Sequence, residues 1–288
     1  MMRWILIGLA AIAAAIALFV FKAESFTLSY LASKTEQMTL AQRRALIESD
    51  FEIHLPENAQ GPAPTVILFH GCAGPRMSFQ RDWAKRMNEA GYAAIITDST
   101  GPRGFSRQEA LATVCRGQAL IGQERAGDVL AAIDWASNDE RFDTGRLVLA
   151  GWSHGAWSIM DFLTMDMDNA SPAGITDVQP PAPDIRGAIL FYPHCGPGAL
   201  APKRGWVQDP EALAFIAGAD TIVDAEKCIN YFENRKRDKG GVSLTVYPGA
   251  EHAFDDSHLE PEWIHWYNEE YALDAARQVK EFLERLQN

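Results

Sequence analysis

The stretch of this chain best equipped for chemistry is Gly151-Trp152-Ser153-His154-Gly155. An apolar run, Leu147-Val148-Leu149-Ala150, leads into it, and an apolar, helix-compatible run over residues 156–165 follows. A strand that stops at a sharp turn and passes straight into a helix holds the turn serine with its hydroxyl exposed. Side chains at 151 and 155 would collide with so tight a turn, which explains glycine at both positions. The helix start behind Ser153 offers unpaired N–H groups and a partial positive charge, and both favour an oxyanion forming beside the serine. The implied chemistry is attack of a serine hydroxyl on a carbonyl carbon.

Such a serine needs a base, and the base needs an orienter. Seven histidines are present. His252 follows the last predicted strand, in Tyr247-Pro248-Gly249-Ala250-Glu251-His252, and so reaches the sheet edge where Ser153 emerges. His258 and His265 lie further into that loop. His194 follows an earlier strand and is a candidate substrate contact. His54 belongs to a solvated edge strand, and His70, ending the first long strand, reads as structural. The acid should follow the strand over residues 213–217, where Gly218-Ala219-Asp220-Thr221-Ile222-Val223-Asp224 supplies two carboxylates. Asp220 comes just as the chain leaves the sheet, while Asp224 suits the N-cap of a following helix. For the oxyanion, one N–H would come from His154 and the other from Cys72, in the loop His70-Gly71-Cys72-Ala73-Gly74. The His154 imidazole itself reads as a turn residue.

Alternating strands and helices position these groups. Residues 65–69 read as a strand buried on both faces, and residues 92–97 as the next. Phe79, Trp83 and Met87 share one helical face, as do Ala126, Val129, Leu130 and Ile133. Strands follow over 188–192, 213–217 and 244–247, with a helix over 225–237 and a closing helix striped by Val279, Phe282, Leu283 and Leu286. Residues 45–55 read as two short strands broken near Ser49-Asp50, with a short helix over 39–46 before them. Residues 165–184 read as a Pro/Asp-rich insertion, part of a lid or rim. Repeated strand–helix units predict a parallel sheet covered on both faces, with ligands at the carboxyl ends of its strands.

The chain has 288 residues and a net charge of −12, which argues against nucleic acid and anionic membrane surfaces as partners. Residues 4–21 carry no charge and lie between Arg3 and Lys22. That length is marginal for a membrane span and long for a signal core. The expected organisation is an anchor or signal over residues 1–22, a tether over 23–46 and one domain over 47–288. Four cysteines in an exported chain predict two disulfides. Cys72 with Cys115, and Cys195 with Cys228, fall near the same sheet edge and are the expected pairs, among three possible connectivities.

His70-Gly71-Cys72-Ala73-Gly74, Asp98-Ser99-Thr100-Gly101-Pro102-Arg103-Gly104, the Ser153 pentapeptide and Glu251-His252-Ala253-Phe254 together resemble the dienelactone hydrolase family of α/β-hydrolases. The resemblance runs from about residue 62 to the C-terminus. It implies an α/β-hydrolase fold, a mostly parallel central sheet with helices on both faces, here preceded by an N-terminal hydrophobic helix. Founding members carry a cysteine nucleophile where this chain has Ser153, which moves the expectation to a serine esterase. The implied route is acyl transfer to water. Ser153 attacks a small-molecule ester, His252 takes its proton, Asp220 orients the imidazole, and the N–H groups of Cys72 and His154 hold the oxyanion. That chemistry calls for no cofactor or metal, and no Cys/His spacing resembles a zinc site. The competing readings are a peptidase of the same fold and a catalytically silent binding protein.

Overall fold

In a computed structural model, residues 35–57, 59–166, 173–177 and 184–287 are described. The hydrophobic stretch 4–21 lies outside them. Among the described residues, no helix is long and apolar enough to cross a membrane.

Seven strands form one sheet: β1 (Glu52–His54), β2 (Ala63–Phe69), β3 (Ala93–Ile96), β4 (Phe142–Trp152), β5 (Ile185–Phe191), β6 (Glu211–Ala217) and β7 (Val242–Tyr247). Their order is β1-β3-β2-β4-β5-β6-β7. Only β1 runs antiparallel, pairing with β3. The other pairings are parallel, with β4 between β2 and β5. Every residue of β2 and β3 is buried, as continuous apolar strands covered on both faces require.

Helices cover the two faces, each over its own core. On one side α4 (Gly122–Ser137), α5 (His154–Leu163) and α7 (Ala225–Asp238) pack with Ile67, Leu149 and Leu190. On the other, α2 (Met77–Glu89) and α8 (Glu269–Gln287) pack with Val66, Val148 and Phe215. Phe79, Trp83 and Met87 are buried as their helical spacing predicted. Two further helices are short, α3 (Arg107–Ala112) and α6 (Ala201–Arg204).

The first of the two strands predicted over residues 45–55 is a correction. Residues 40–47 form helix α1 (Leu40–Ile47), and a 3-10 turn over Glu48–Asp50 leads into β1. The helix starts at a capping box in which Thr39 and Gln42 exchange side chain–backbone hydrogen bonds. It packs on α4, and its fully buried Arg43 meets Asp128 there at 3.1 Å. The helix matches the one expected over residues 39–46; what gives way is the strand expected from residue 45, because residues 45–47 complete the last turn of α1. Of the 165–184 insertion, Ile175 bridges Met38, and Ala173 and Ile175 join the core beneath α4; residues 167–172 and 178–183, on which the lid or rim expectation also falls, lie outside the described residues.

Candidate active site

The turn between β4 and α5 places Ser153 at φ 53° and ψ −114°, a region that residues with side chains rarely occupy. The neighbouring glycines explain how the turn is built. A Cβ on Gly151 would come 2.6 Å from the Ala156 nitrogen, and one on Gly155 would overlap the Phe69 carbonyl. The Ser153 N–H donates to the Phe191 carbonyl at 2.8 Å, pinning the turn to β5.

The loops after β6 and β7 carry the other two groups and are knitted together. The Gly218 N–H donates to Tyr247 O at 2.8 Å and the Ala219 N–H to Ala250 O at 2.9 Å. Thr221 donates to Glu251 through both its N–H and its hydroxyl. This knitting brings His252 Nδ1 to 2.7 Å from Asp220 Oδ2 and His252 Nε2 to 2.9 Å from Ser153 Oγ. The other Asp220 oxygen accepts the N–H groups of Ile222 and Val223. With both oxygens engaged, the carboxylate is fixed to receive an N–H from Nδ1, which leaves Nε2 free to accept from the serine hydroxyl. Asp224 instead caps α7, accepting the Lys227 N–H and pairing with its ammonium at 2.8 Å.

Ser153, His252 and Cys72 line one cleft of about 200 Å³. Its walls include Phe79, Leu111, Ile222, Leu259, Trp263 and Trp266. Two arginines reach it, but both are matched: Arg76 pairs with Asp256 and Glu260, and Arg107 with Glu260. Among the described residues, four non-glycine residues have positive φ, namely Leu120, Ser153, Tyr192 and Ala253, and the last three line the cleft. Backbone strain clustered in this way marks functional sites.

Of the remaining histidines only His70 lines the cleft, and among the described residues none of their rings hydrogen-bonds Ser153 or Asp220. His194 does not line the cleft; it lies against Trp157 and the Pro197 carbonyl, which corrects its reading as a substrate contact. His258 pairs with Asp82 at 2.8 Å and His54 with Glu52 at 2.7 Å. His265 lies against Trp266. His70 is buried; its Nε2 accepts the Ser99 N–H and its Nδ1 faces Gly71 O, so it serves the fold as the sequence suggests.

Two groups of residues behind the site were missed. Arg125, wholly buried, donates to the His70 carbonyl at 2.7 Å and to His154 Nδ1 at 3.1 Å. The His154 imidazole is therefore part of a buried network rather than a plain turn residue, and burial together with the Arg125 charge holds it neutral. Asp255 accepts from Tyr192, Trp152 and Trp83, tying the residue before Ser153 to the ring whose centroid lies 4.7 Å from that of His252. Arg125 and Asp128 sit three residues apart at buried positions of α4, but Glu124 and Asp134 on the same helix are charged too, so no local signal singled them out, and none marked Asp255.

Cys72 is bonded to Cys115, and Cys195 to Cys228, the pairing read from the sheet edge. Such bonds belong to an oxidising compartment.

A mostly parallel sheet covered on both faces, with a strained serine between strand and helix and acid and histidine following in chain order, defines an α/β-hydrolase. The dienelactone hydrolase family model matches residues 51–287, and the chain belongs to that family. It is 24% identical over 243 residues to the acylamino-acid-releasing enzyme of Sus scrofa, covering 73% of this chain and 32% of that one. The chain thus spans about a third of the length of the curated relatives it first matches. An uncharacterized 31.7 kDa Escherichia coli protein of the traX-finO intergenic region is 31% identical over 103 residues, 36% of this chain and 33% of that one. Among solved structures, a dienelactone hydrolase-like promiscuous phosphotriesterase from metagenomic libraries has TM-score 0.61 at 18% identity, covering 82% of this chain and 92% of the other. A thermophilic esterase from Thermogutta terrifontis has TM-score 0.56 at 15% identity, covering 82% and 89%. Family and fold place the chain among the hydrolases.

Proposed function

We propose that the protein is a serine esterase that cleaves a small, neutral carboxylic ester or lactone through an acyl-enzyme. The observation that carries this reading is the continuous chain Asp220–His252–Ser153, with links of 2.7 and 2.9 Å, opening on an apolar cleft. His252 takes the Ser153 proton as the hydroxyl attacks. Asp220 holds the imidazole in the tautomer that accepts at Nε2. The N–H of His154, which opens α5 and so has no carbonyl one turn back, holds the oxyanion together with the N–H of Cys72. His252 then activates the water that releases the acid. With both arginines matched, the described residues that line the cleft include no spare cation for a substrate carboxylate, which favours a neutral substrate.

A fluorophosphonate probe is expected to label the wild type and not Ser153→Ala, and p-nitrophenyl acetate hydrolysis to vanish in that variant. Equal labelling of the two proteins overturns the reading. The likeness to acylamino-acid-releasing enzymes favours a second substrate, an acylated amino-acid amide. Faster turnover of an N-acetyl-amino-acid p-nitroanilide than of any ester in a panel moves the assignment to a peptidase. In the same proposal the hydrolase domain works outside the cytoplasm, with residues 1–22 as anchor or signal and α1 fastening the tether onto the domain.

A further inference from the structure

The loop that carries Cys72 is held unevenly. His70 Nδ1 faces the Gly71 carbonyl at 2.5 Å, and Arg107 donates to the Ala73 carbonyl at 3.3 Å. Between them, neither the N–H nor the C=O of Cys72 has a hydrogen-bond partner among the described residues. What fixes this residue is its side chain, bonded to Cys115. Cys115 belongs to the 3-10 turn Val114–Arg116, whose buried Val114 packs with Ala110 and Leu120 in a small cluster apart from the two main cores. The two cysteines of this bond line the cleft, and a Cβ on neighbouring Gly71 would lie 3.8 Å from the Ser153 Cβ.

We propose that the Cys72–Cys115 disulfide is the positioning device of the oxyanion loop, so that its reduction lowers turnover while substrate still binds. The inference rests on the esterase reading, which assigns the Cys72 N–H to the oxyanion. A donor placed in advance stabilises charge without reorganising during the reaction, and loss of one such donor costs about 10²–10³ in turnover. The Cys195–Cys228 bond is a natural control. It joins the loop after β5 to α7 and does not line the cleft. The two bonds span 43 and 33 residues, and the constraint on the unfolded chain grows only with the logarithm of that span. Their bearing on chain entropy is therefore nearly equal, while their bearing on the oxyanion is not. They also differ in access. Cys115 is exposed and Cys72 half-buried, whereas Cys195 and Cys228 are 5% and 1% exposed. Thiol–disulfide exchange requires access to sulfur, so a dithiol reaches the cleft bond first. In that step dithiothreitol leaves as its cyclic disulfide, its two electrons and two protons ending on the thiols of Cys72 and Cys115.

The test uses steady-state hydrolysis of p-nitrophenyl acetate. Cys72→Ala/Cys115→Ala keeps both backbone N–H groups, so any loss reports position. Its kcat is expected to fall about tenfold to a hundredfold, a loosened donor costing somewhat less than an absent one, with KM within a factor of about two. Cys195→Ala/Cys228→Ala, assayed below its own melting temperature, is expected to keep the wild-type kcat. Wild-type kcat in the first variant, or equal losses in both, overturns the inference. Should the first variant fail to fold, wild type is titrated with dithiothreitol and its free thiols alkylated and mapped. Activity is expected to fall with labelling at Cys72 and Cys115 and to return on reoxidation. Full activity with those two sites labelled overturns the inference. A wild type no faster than Ser153→Ala overturns the esterase reading, and the inference with it.

Discussion

Replacing Asp220 by asparagine changes one atom, and the structure fixes the consequence. One Asp220 oxygen accepts two backbone N–H groups, from Ile222 at 2.8 Å and Val223 at 2.9 Å, while the other meets His252 Nδ1 at 2.7 Å. An asparagine must keep its carbonyl on the two backbone donors, because its NH2 there would oppose both. Its NH2 then faces Nδ1, which must become an acceptor, and the imidazole proton moves to Nε2. At 2.9 Å from Ser153 Oγ, that nitrogen then donates where it must accept. The same change in a serine protease lowers turnover about 10⁴-fold, or about 5 kcal/mol of barrier. Asp220→Asn is therefore expected to lose about 10⁴ in kcat on p-nitrophenyl acetate with its melting temperature nearly unchanged. Asp224→Asn should keep full turnover, since asparagine also caps helices well. An Asp220→Asn enzyme retaining a tenth or more of wild-type kcat refutes the tautomer argument, and an inactive Asp224→Asn moves the acid.

Gly155→Ala is expected to destabilise the fold by about 3 kcal/mol, since the added carbon overlaps the Phe69 carbonyl in close-packed surroundings; thermal unfolding measures it, and an unchanged melting temperature refutes the packing argument. Asp128→Leu leaves the side chains of Arg43 and Arg103, 0% and 8% exposed, without their shared carboxylate. Its expected cost, about 3–5 kcal/mol, is read from denaturant unfolding. Burial pushes Asp255 up to about 6, despite three donors that favour its charged form. The folded protein then binds a proton that the unfolded chain has released, so this residue's contribution to stability falls as pH rises from about 4 to 6. The wild-type-minus-Asp255→Asn stability difference should show that fall, and a flat difference across the window contradicts it.

The pentapeptide around Ser153 was legible because a strand–turn–helix junction is local. Its glycines answer to contacts with the Phe69 carbonyl and the Ala156 nitrogen that any such junction creates. The preference for Asp220 over Asp224 came from distance to a strand end; Asp220 lies 2.7 Å from His252, and Asp224 caps α7. Helix α1 was expected over 39–46 and forms over 40–47; what stayed hidden is its tertiary anchor, Arg43 on Asp128, 85 residues away in sequence. The same limit hid Asp255, whose three donors come from α2, β4 and the end of β5. Local patterns mark the residues proposed to react, and the groups packed behind them are assembled from distant parts of the chain.

The backbone at Ser153 carries a consequence for how this sequence can drift. A residue with a side chain held in such a region costs on the order of 1–3 kcal/mol, and glycine would relieve most of it. The position that makes the hydroxyl available is thus the one where the fold gains from losing it. A copy of this gene freed from selection on turnover is expected to accept Ser153→Gly as a stabilising change. Retention of serine at that turn across drifting copies would then report that the hydroxyl is still in use.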